Sequence, residues 1–186
     1  MSQPTTYTAF LGPTLLAAGP IETLLPSLKE QFDLDPGTMF LIFEDHTGRQ
    51  VDFDLRGSVK EILARAMPAP HRAGRGRPRL GVSSREVTLL PRHWEWLEQQ
   101  PNGASAALRR LVDQARGQEP DKEKARLAKE AIGRFMSAMA GNLPGYEEAT
   151  RALYAGDRSH FEHLIFDWPS DIRAWLHQQA EPAFHC

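Results

Sequence analysis

The sequence predicts an α+β fold, with a small antiparallel sheet and helices at the N-terminus, a central strand-helix-helix segment and a helical C-terminal part. Apolar and polar residues alternate around residues 39–55, which is typical of strands that are buried on one face. From residue 120 onward apolar residues recur every three or four positions, which indicates amphipathic helices. The chain has 186 residues, of which 41% are hydrophobic, and is therefore long enough to bury a core.

The N-terminal part, residues 1–67, is predicted to be an α+β domain. Residues 7–18 predict two short strands that are joined by a Gly-Pro turn. A helix is expected over residues 20–32, where apolar residues have helical spacing, although Pro26 interrupts it.

The clearest local pattern is a β-hairpin at residues 39–55, in which a turn containing Gly48 joins an apolar run to an alternating strand. After the hairpin, Ser58 is followed three residues later by Glu61. This spacing predicts a capping box at the start of a helix that ends near Ala66.

Four acidic residues crowd the arms of the hairpin: Glu44, Asp45, Asp52 and Asp54. Paired carboxylates can perform acid-base catalysis or bind a divalent metal, so such a site is one interpretation. The other is that alternating acids form the exposed face of an antiparallel sheet. We favour the second interpretation and predict no metal and no cofactor, because the sequence has no matching set of ligands elsewhere.

The net charge reverses in the middle of the chain. Residues 1–66 carry a net charge of −4 and residues 118–186 carry −3, whereas residues 67–117 carry +5. A basic segment between two acidic regions is what a local contact with a polyanion requires, and it is also what a solvated basic loop looks like.

Residues 68–84 are rich in Arg, Gly and Pro and are predicted to be a basic linker or arm. Its centre resembles the Arg-Gly-Arg-Pro core of AT-hook segments. The residues predicted to contact nucleic acid in this arm are Arg72, Arg75, Gly76, Arg77, Pro78 and Arg79. A thin Gly/Pro backbone fits a narrow A·T-rich minor groove, whose negative potential attracts arginine. A solvated linker is the alternative.

Residues 85–117 predict one short strand, beginning near Ser84, and two short helices. Pro91 suits the first turn of the first helix, and Asn102-Gly103 separates the two. The order resembles the ribbon-helix-helix family of bacterial repressors, which pair the strand with that of a second subunit and lay the ribbon in the major groove of DNA. The resemblance implies a homodimer, since a lone strand has no partner.

The strand departs from that family's pattern because its two faces carry either aliphatic side chains or an acid, Glu86. The strand is therefore either a DNA-reading ribbon or an interior strand of a larger sheet. In both cases Arg85, Arg92, Arg109 and Arg110 are expected on or near phosphates. Trp94 and Trp96 cannot share a helix face, so one is expected in the core and the other at the surface.

The C-terminal region, residues 118–186, is predicted to be helical, with one long helix over residues 120–140 and three shorter ones after residue 145. Four histidines occur here, and three of them lie in the predicted helices: His160, His163 and His177. Their spacing fits no standard zinc pattern, so we expect surface or packing roles.

Read as a whole, the sequence resembles an uncharacterised bacterial family, the domain of unknown function 2239. The resemblance is carried by YTAF, LIFEDHTGRQVDFDLRGS, RGRPRLGVSSREVTLLPRHWEWL, GASAALRRLVD and FMSAMAGNLPGYEEATRALYAGD. It implies a soluble bacterial protein and assigns no activity, substrate or catalytic residue.

Together these patterns predict a non-enzymatic protein that binds double-stranded DNA, either a transcriptional regulator or a nucleoid-associated protein. The alternative is a protein-protein interaction or adaptor module whose basic linker is merely solvated. No phosphate-binding loop, nucleophile elbow or catalytic triad is recognisable in the sequence, so an enzyme ranks third. We expect a cytoplasmic location, because no signal peptide or membrane span is apparent.

Overall fold

The computed structural model describes residues 5–67, 85–118 and 120–184. These residues form two compact units. Residues 5–67 and 121–184 build the first, which we call the sheet-helix unit, and residues 85–118 and 120 build the second, which we call the hairpin unit. The predicted contacts at Arg72, Arg75, Gly76, Arg77, Pro78 and Arg79 lie outside the described residues.

The sheet-helix unit contains a four-stranded antiparallel sheet in the order β2-β1-β3-β4. Its strands are β1 (Thr6–Leu11), β2 (Thr14–Pro20), β3 (Leu41–Glu44) and β4 (Arg49–Val51). The register pairs Tyr7 with Glu44 and Phe43 with Gln50. The α+β class, the two strands around the Gly-Pro turn and the β3–β4 hairpin are thereby confirmed.

Gly48 closes the turn between β3 and β4. Its φ is +63°, which favours glycine, and its N–H donates to the carbonyl oxygen of Glu44 at 2.8 Å. A Cβ at this position would lie 2.0 Å from the carbonyl oxygen of Ala131, so the loop can approach that helix only because the residue is glycine.

Two helices follow strands of the sheet. Helix α1 (Ile21–Leu34) runs through Pro26 without ending, and it buries Leu24, Leu25 and Leu28. Helix α2 (Val59–Ala66) begins with the predicted capping box, because Ser58 accepts from the backbone of Glu61 while the carboxylate of Glu61 accepts from the backbone of Ser58. The cap prediction is confirmed.

The remaining helices of this unit are α5 (Pro120–Met139), α6 (Tyr146–Ala155), α7 (Arg158–Leu164) and α8 (Ser170–Ala180), with a short 3₁₀ turn at Glu181–Phe184. They confirm the predicted helical C-terminal region. Gly145 and Gly156 bracket α6 with left-handed φ values of 74° and 77°.

Both faces of the sheet are covered, which gives two apolar clusters. Ala9 and Ile42 pack with α1 and α2, whereas Phe10 and Phe43 pack with the helices that follow residue 120. Successive residues of a strand point to opposite faces, so strands with apolar residues on both need a layer on each side. The N-terminal and C-terminal regions, which the sequence presents as separate, share the second cluster.

In the hairpin unit, helix α3 (Pro91–Glu98) and helix α4 (Gly103–Gln118) are joined by a turn in which Asn102 and Gly103 have positive φ. Pro91 is the first residue of α3, as predicted. Residues 85–90 form no strand within the chain, and the sheet does not include them. The interior-strand interpretation is therefore wrong, while pairing with a second copy stays a prediction.

No helix in the described part of the chain is long and apolar enough to cross a membrane.

Candidate nucleic-acid interface

Four of the arginines predicted to contact phosphates are described, and all four are exposed on the hairpin unit. Arg85 lies in the segment before α3, which has no regular secondary structure, and Arg92 lies in the first turn of that helix. Arg109 and Arg110 are neighbours in the middle of α4. Local sequence positions them, because Pro91 starts one helix and Asn102-Gly103 ends the turn before the other.

The hydrogen bonds of these arginines go to neutral groups. Nε of Arg109 donates to the carbonyl oxygen of Ser105 at 3.2 Å, and Nη2 of Arg110 donates to Oε1 of Gln100 at 3.4 Å. Within the described residues, none of the four forms an ion pair with a carboxylate. Their positive charge is therefore not balanced by a neighbouring carboxylate in this part of the chain.

The arginines of the sheet-helix unit are arranged differently. Six are paired with acids: Arg56, Arg65, Arg126, Arg134, Arg151 and Arg158. For example, Nε of Arg158 lies 2.8 Å from Oε1 of Glu162. Arg49 shows no ion pair among the described residues, and the guanidinium of Arg173 lies over the ring of Phe166 at 5.6 Å.

The ion pairs also shift the pKa values of the side chains that form them. Hydrogen bonds from Arg56 lower the pKa of Asp54 to about 2, and the nearby charge of Arg65 contributes to the same shift. The hydrogen bonds that Arg126 donates to Glu123, together with the charge of Glu123, raise the pKa of Arg126. Each shift favours the charged form of both partners. The charges of these side chains are thus balanced within the chain.

The tryptophans of α3 correct one expectation. Trp94 and Trp96 are both exposed, at 38% and 47%, so neither is a core residue. The buried position on α3 belongs instead to Leu97, and that on α4 to Ala107. Two helices meet along a single line, which leaves room for few buried side chains on each.

Helix α4 has an apolar side that is largely uncovered. Leu111 is 39% exposed and Val112 is 54% exposed, and Ala115 on the next turn is also exposed. Ala115 lies four positions after Leu111 and three after Val112, so these three residues, which we call the α4 stripe, share one side of the helix. In the segment before α3, Val87 and Leu90 are exposed as well.

The acids of the β3–β4 hairpin do not converge. Asp54 pairs with Arg56, and a carboxylate oxygen of Glu44 accepts from the hydroxyl of Thr47 at 2.6 Å. Asp45 is buried, and its Oδ1 accepts from the hydroxyl of Thr8 at 2.6 Å and from the indole N–H of Trp175 at 3.1 Å. Across the ranges that the structure describes, no group of three His, Cys, Asp or Glu side chains could hold a metal.

One family model matches the chain over residues 6–180, and its description is "Uncharacterized protein conserved in bacteria (DUF2239)". The chain belongs to this family. The predicted family resemblance is thereby confirmed. No curated protein and no solved structure matches the chain. Membership in DUF2239 supplies no activity, so any function has to be inferred from the residues of the candidate interface.

Proposed function

We propose that this DUF2239 protein binds double-stranded DNA without catalysing a reaction, as a bacterial transcriptional regulator or nucleoid-associated protein, and that it does so as a homodimer. One observation carries the proposal. The four described arginines of the hairpin unit are exposed and have no carboxylate partner in the described chain, whereas six arginines of the sheet-helix unit do. Unpaired guanidinium groups are available to neutralise phosphates.

The Arg/Gly/Pro segment supplies the second part of the interface. Arg75, Arg77 and Arg79 alternate with Gly76 and Pro78, as in AT-hooks. We assign this segment to the minor groove of A·T-rich DNA, with Arg72 beside it, because narrow minor grooves attract arginine. The support for this step is the sequence alone.

The homodimer is supported by the apolar residues that the hairpin unit leaves exposed. Of its large apolar side chains, Val87, Leu90, Leu111 and Val112 are all exposed in the single chain. A unit of this size rarely closes a core without help from a metal, a disulfide or a second subunit. In a ribbon-helix-helix arrangement a second copy would pair with residues 85–90 and cover the α4 stripe.

The same exposed residues favour a second candidate, a protein-protein adaptor. Trp94 and Trp96 are exposed on one short helix, and tryptophan is enriched at the centres of protein interfaces. In this case the arginines would be solvated and a different protein would cover the hairpin unit.

Salt-dependent binding to a labelled duplex tests the DNA proposal. We expect the full chain to bind an A·T-rich duplex in fluorescence anisotropy, and to lose affinity by about 10³-fold between 50 and 200 mM salt if six or more phosphates are contacted. The variant Arg75→Ala/Arg77→Ala should lose most of the binding and reduce the salt slope by roughly two, because each removed phosphate contact contributes about one.

Arg126→Ala/Arg158→Ala is the matched control, since it also removes two positive charges but from arginines that are paired with glutamates. We expect its affinity to stay close to that of the unchanged chain. If the anisotropy of no duplex changes at low salt, the proposal is overturned. Purification with a stoichiometric protein partner that the arginine substitutions do not release would establish the adaptor instead.

A further inference from the structure

The indole ring of Trp96 lies at the surface of the hairpin unit without a partner for its faces. The residue is 47% exposed. Among the residues that the structure describes, no aromatic ring stacks on it and no cation lies over it. A large flat ring in this situation can stack on a flat group of a ligand.

An arginine of α4 is held near the C-terminal side of Trp96 through Gln100. Nε2 of Gln100 donates to the carbonyl oxygen of Trp96 at 3.3 Å, and its Oε1 accepts from Nη2 of Arg110 at 3.4 Å. The side chain of Gln100 therefore bridges α3 and α4. Because Gln100 is neutral, this bridge positions the guanidinium of Arg110 without reducing its charge.

A second arginine lies on the N-terminal side of Trp96. Arg92 is four positions earlier, and residues four apart on a helix are neighbours on one side. Long helical side chains also lean toward the N-terminus, which brings the Trp96 ring toward Arg92. Glu95 follows Arg92 by three positions, but the two form no ion pair in the described chain. Trp96 thus has an exposed arginine on each side.

An aromatic ring between two cations complements a nucleic-acid strand whose bases are unpaired. In such a strand a base face is open to an aromatic side chain, and the phosphates before and after it are within reach of arginines. A duplex offers the phosphates but keeps its base faces stacked inside. Trp94 has different surroundings, because the residue four positions after it is an exposed acid, Glu98, which repels phosphate.

We propose that Trp96 stacks on an unpaired base of a single-stranded nucleic acid, with Arg92 and Arg110 on the phosphates at either side. The inference rests on the proposed function, because it assigns the same arginines to phosphates, and it adds that the hairpin unit also holds single strands. The proposed dimer would cover residues 85–90 and the α4 stripe. Neither includes Trp96, so the ring stays accessible in the dimer.

A strand that lacks bases tests this proposal without changing the protein. The probes are a labelled oligothymidine of about twelve nucleotides, which is within the range of known site sizes, and a strand of equal length with abasic sites in place of the bases. Both carry the same phosphates. In fluorescence anisotropy at low salt we expect the full chain to bind the oligothymidine about tenfold more tightly, because stacking on one base contributes roughly that much.

Substitutions then show whether Trp96 is the residue that stacks. Trp96→Ala should weaken oligothymidine binding about tenfold and leave duplex binding unchanged, and Trp96→Phe should restore part of the loss because phenylalanine also stacks. Trp94→Ala is the matched control, since it removes an exposed tryptophan from the same helix, and should bind like the unchanged chain. Oligouridine in the same assay distinguishes RNA from DNA, and binding of either strand above its abasic counterpart supports the proposal.

The outcomes separate this inference from the proposed function. If the duplex binds but neither base-containing strand binds more tightly than its abasic counterpart, stacking is overturned and DNA binding is retained. Stacking is also overturned if Trp96→Ala binds oligothymidine like the unchanged chain, or if Trp94→Ala loses as much affinity as Trp96→Ala. If neither the duplex nor any single strand binds, both proposals fail.

Discussion

The sheet-helix unit and the hairpin unit differ in how completely they bury their apolar side chains. In the first, a sheet has helices on both faces, and its aromatic side chains bury one another: Phe135 lies 4.9 Å from Phe43 and stacks on Trp175 at 3.7 Å between ring centroids. In the second, two helices bury Leu97 and Ala107 and leave larger apolar residues exposed. The apolar core of the first unit is covered within a single chain, whereas the second unit leaves apolar surface that a partner could cover.

The two units also differ in whether their arginines are paired with acids. Acids at helical spacing neutralise arginines of the sheet-helix unit, as Glu123 and Glu130 do for Arg126. Surface pairs of this kind add little to stability, but they do reduce the positive charge available to a polyanion. The hairpin unit has Arg109 and Arg110 with only neutral acceptors among the described residues. Exposed apolar residues and arginines without a carboxylate partner thus occur in the same unit, which is why we propose that this unit carries the function.

The largest expected effect is on the core of the sheet-helix unit. Phe135→Ala removes a fully buried ring and should lower the free energy of unfolding by about 3–5 kcal/mol. Urea denaturation followed by near-ultraviolet circular dichroism measures it. As a control, Trp96→Ala removes an exposed ring from the hairpin unit and should leave that transition in place. Equal losses for the two variants would contradict the distinction between the units.

A smaller effect is expected at the start of α2. Ser58→Ala removes the side-chain acceptor of the capping box and should cost about 1 kcal/mol in the free energy of unfolding. Ser27→Ala in the interior of α1 is the control, and it should be neutral or slightly stabilising because alanine is the better helix former. If the capping box does not stabilise the fold, Ser58→Ala and Ser27→Ala should have the same free energy of unfolding in urea titrations.

The smallest effect on the stability of a single chain is expected in the α4 stripe. Val112→Ser changes an exposed residue and should alter the free energy of unfolding of the monomer by no more than about 0.5 kcal/mol. If the proposed dimer forms through this stripe, the same variant should dissociate at higher concentration in analytical ultracentrifugation. Ile132→Ser is the matched change at a fully buried position and should cost at least ~3 kcal/mol.

Local patterns predicted much of the fold because they depend on near neighbours in the chain. The β3–β4 hairpin follows from alternation around a glycine turn, the start of α2 follows from Ser58 and Glu61, and the start of α3 follows from Pro91. Each depends on residues that are close in sequence, so no tertiary information was required.

Other features could not be predicted in this way. Tryptophan is a large apolar residue that is usually mostly buried, but the two-helix unit does not provide enough neighbours to bury either Trp94 or Trp96. Asp45 resembles the other acids of its hairpin in sequence, and only the approach of Trp175, 130 positions away, distinguishes it. Asp45 also lines a small cavity together with residues of α5 and with Pro182, which no local pattern connects to the hairpin.

The sequence by itself determined the α+β class, the order of most elements and the confinement of net positive charge to the middle of the chain, because these depend on composition and short-range periodicity. Only the tertiary structure decided that residues on both sides of that middle segment share one core, that Asp45 is buried beside a cavity, and that the arginines of the hairpin unit differ from the paired arginines elsewhere. The physical reason is that burial and ion pairing depend on which distant residues become neighbours.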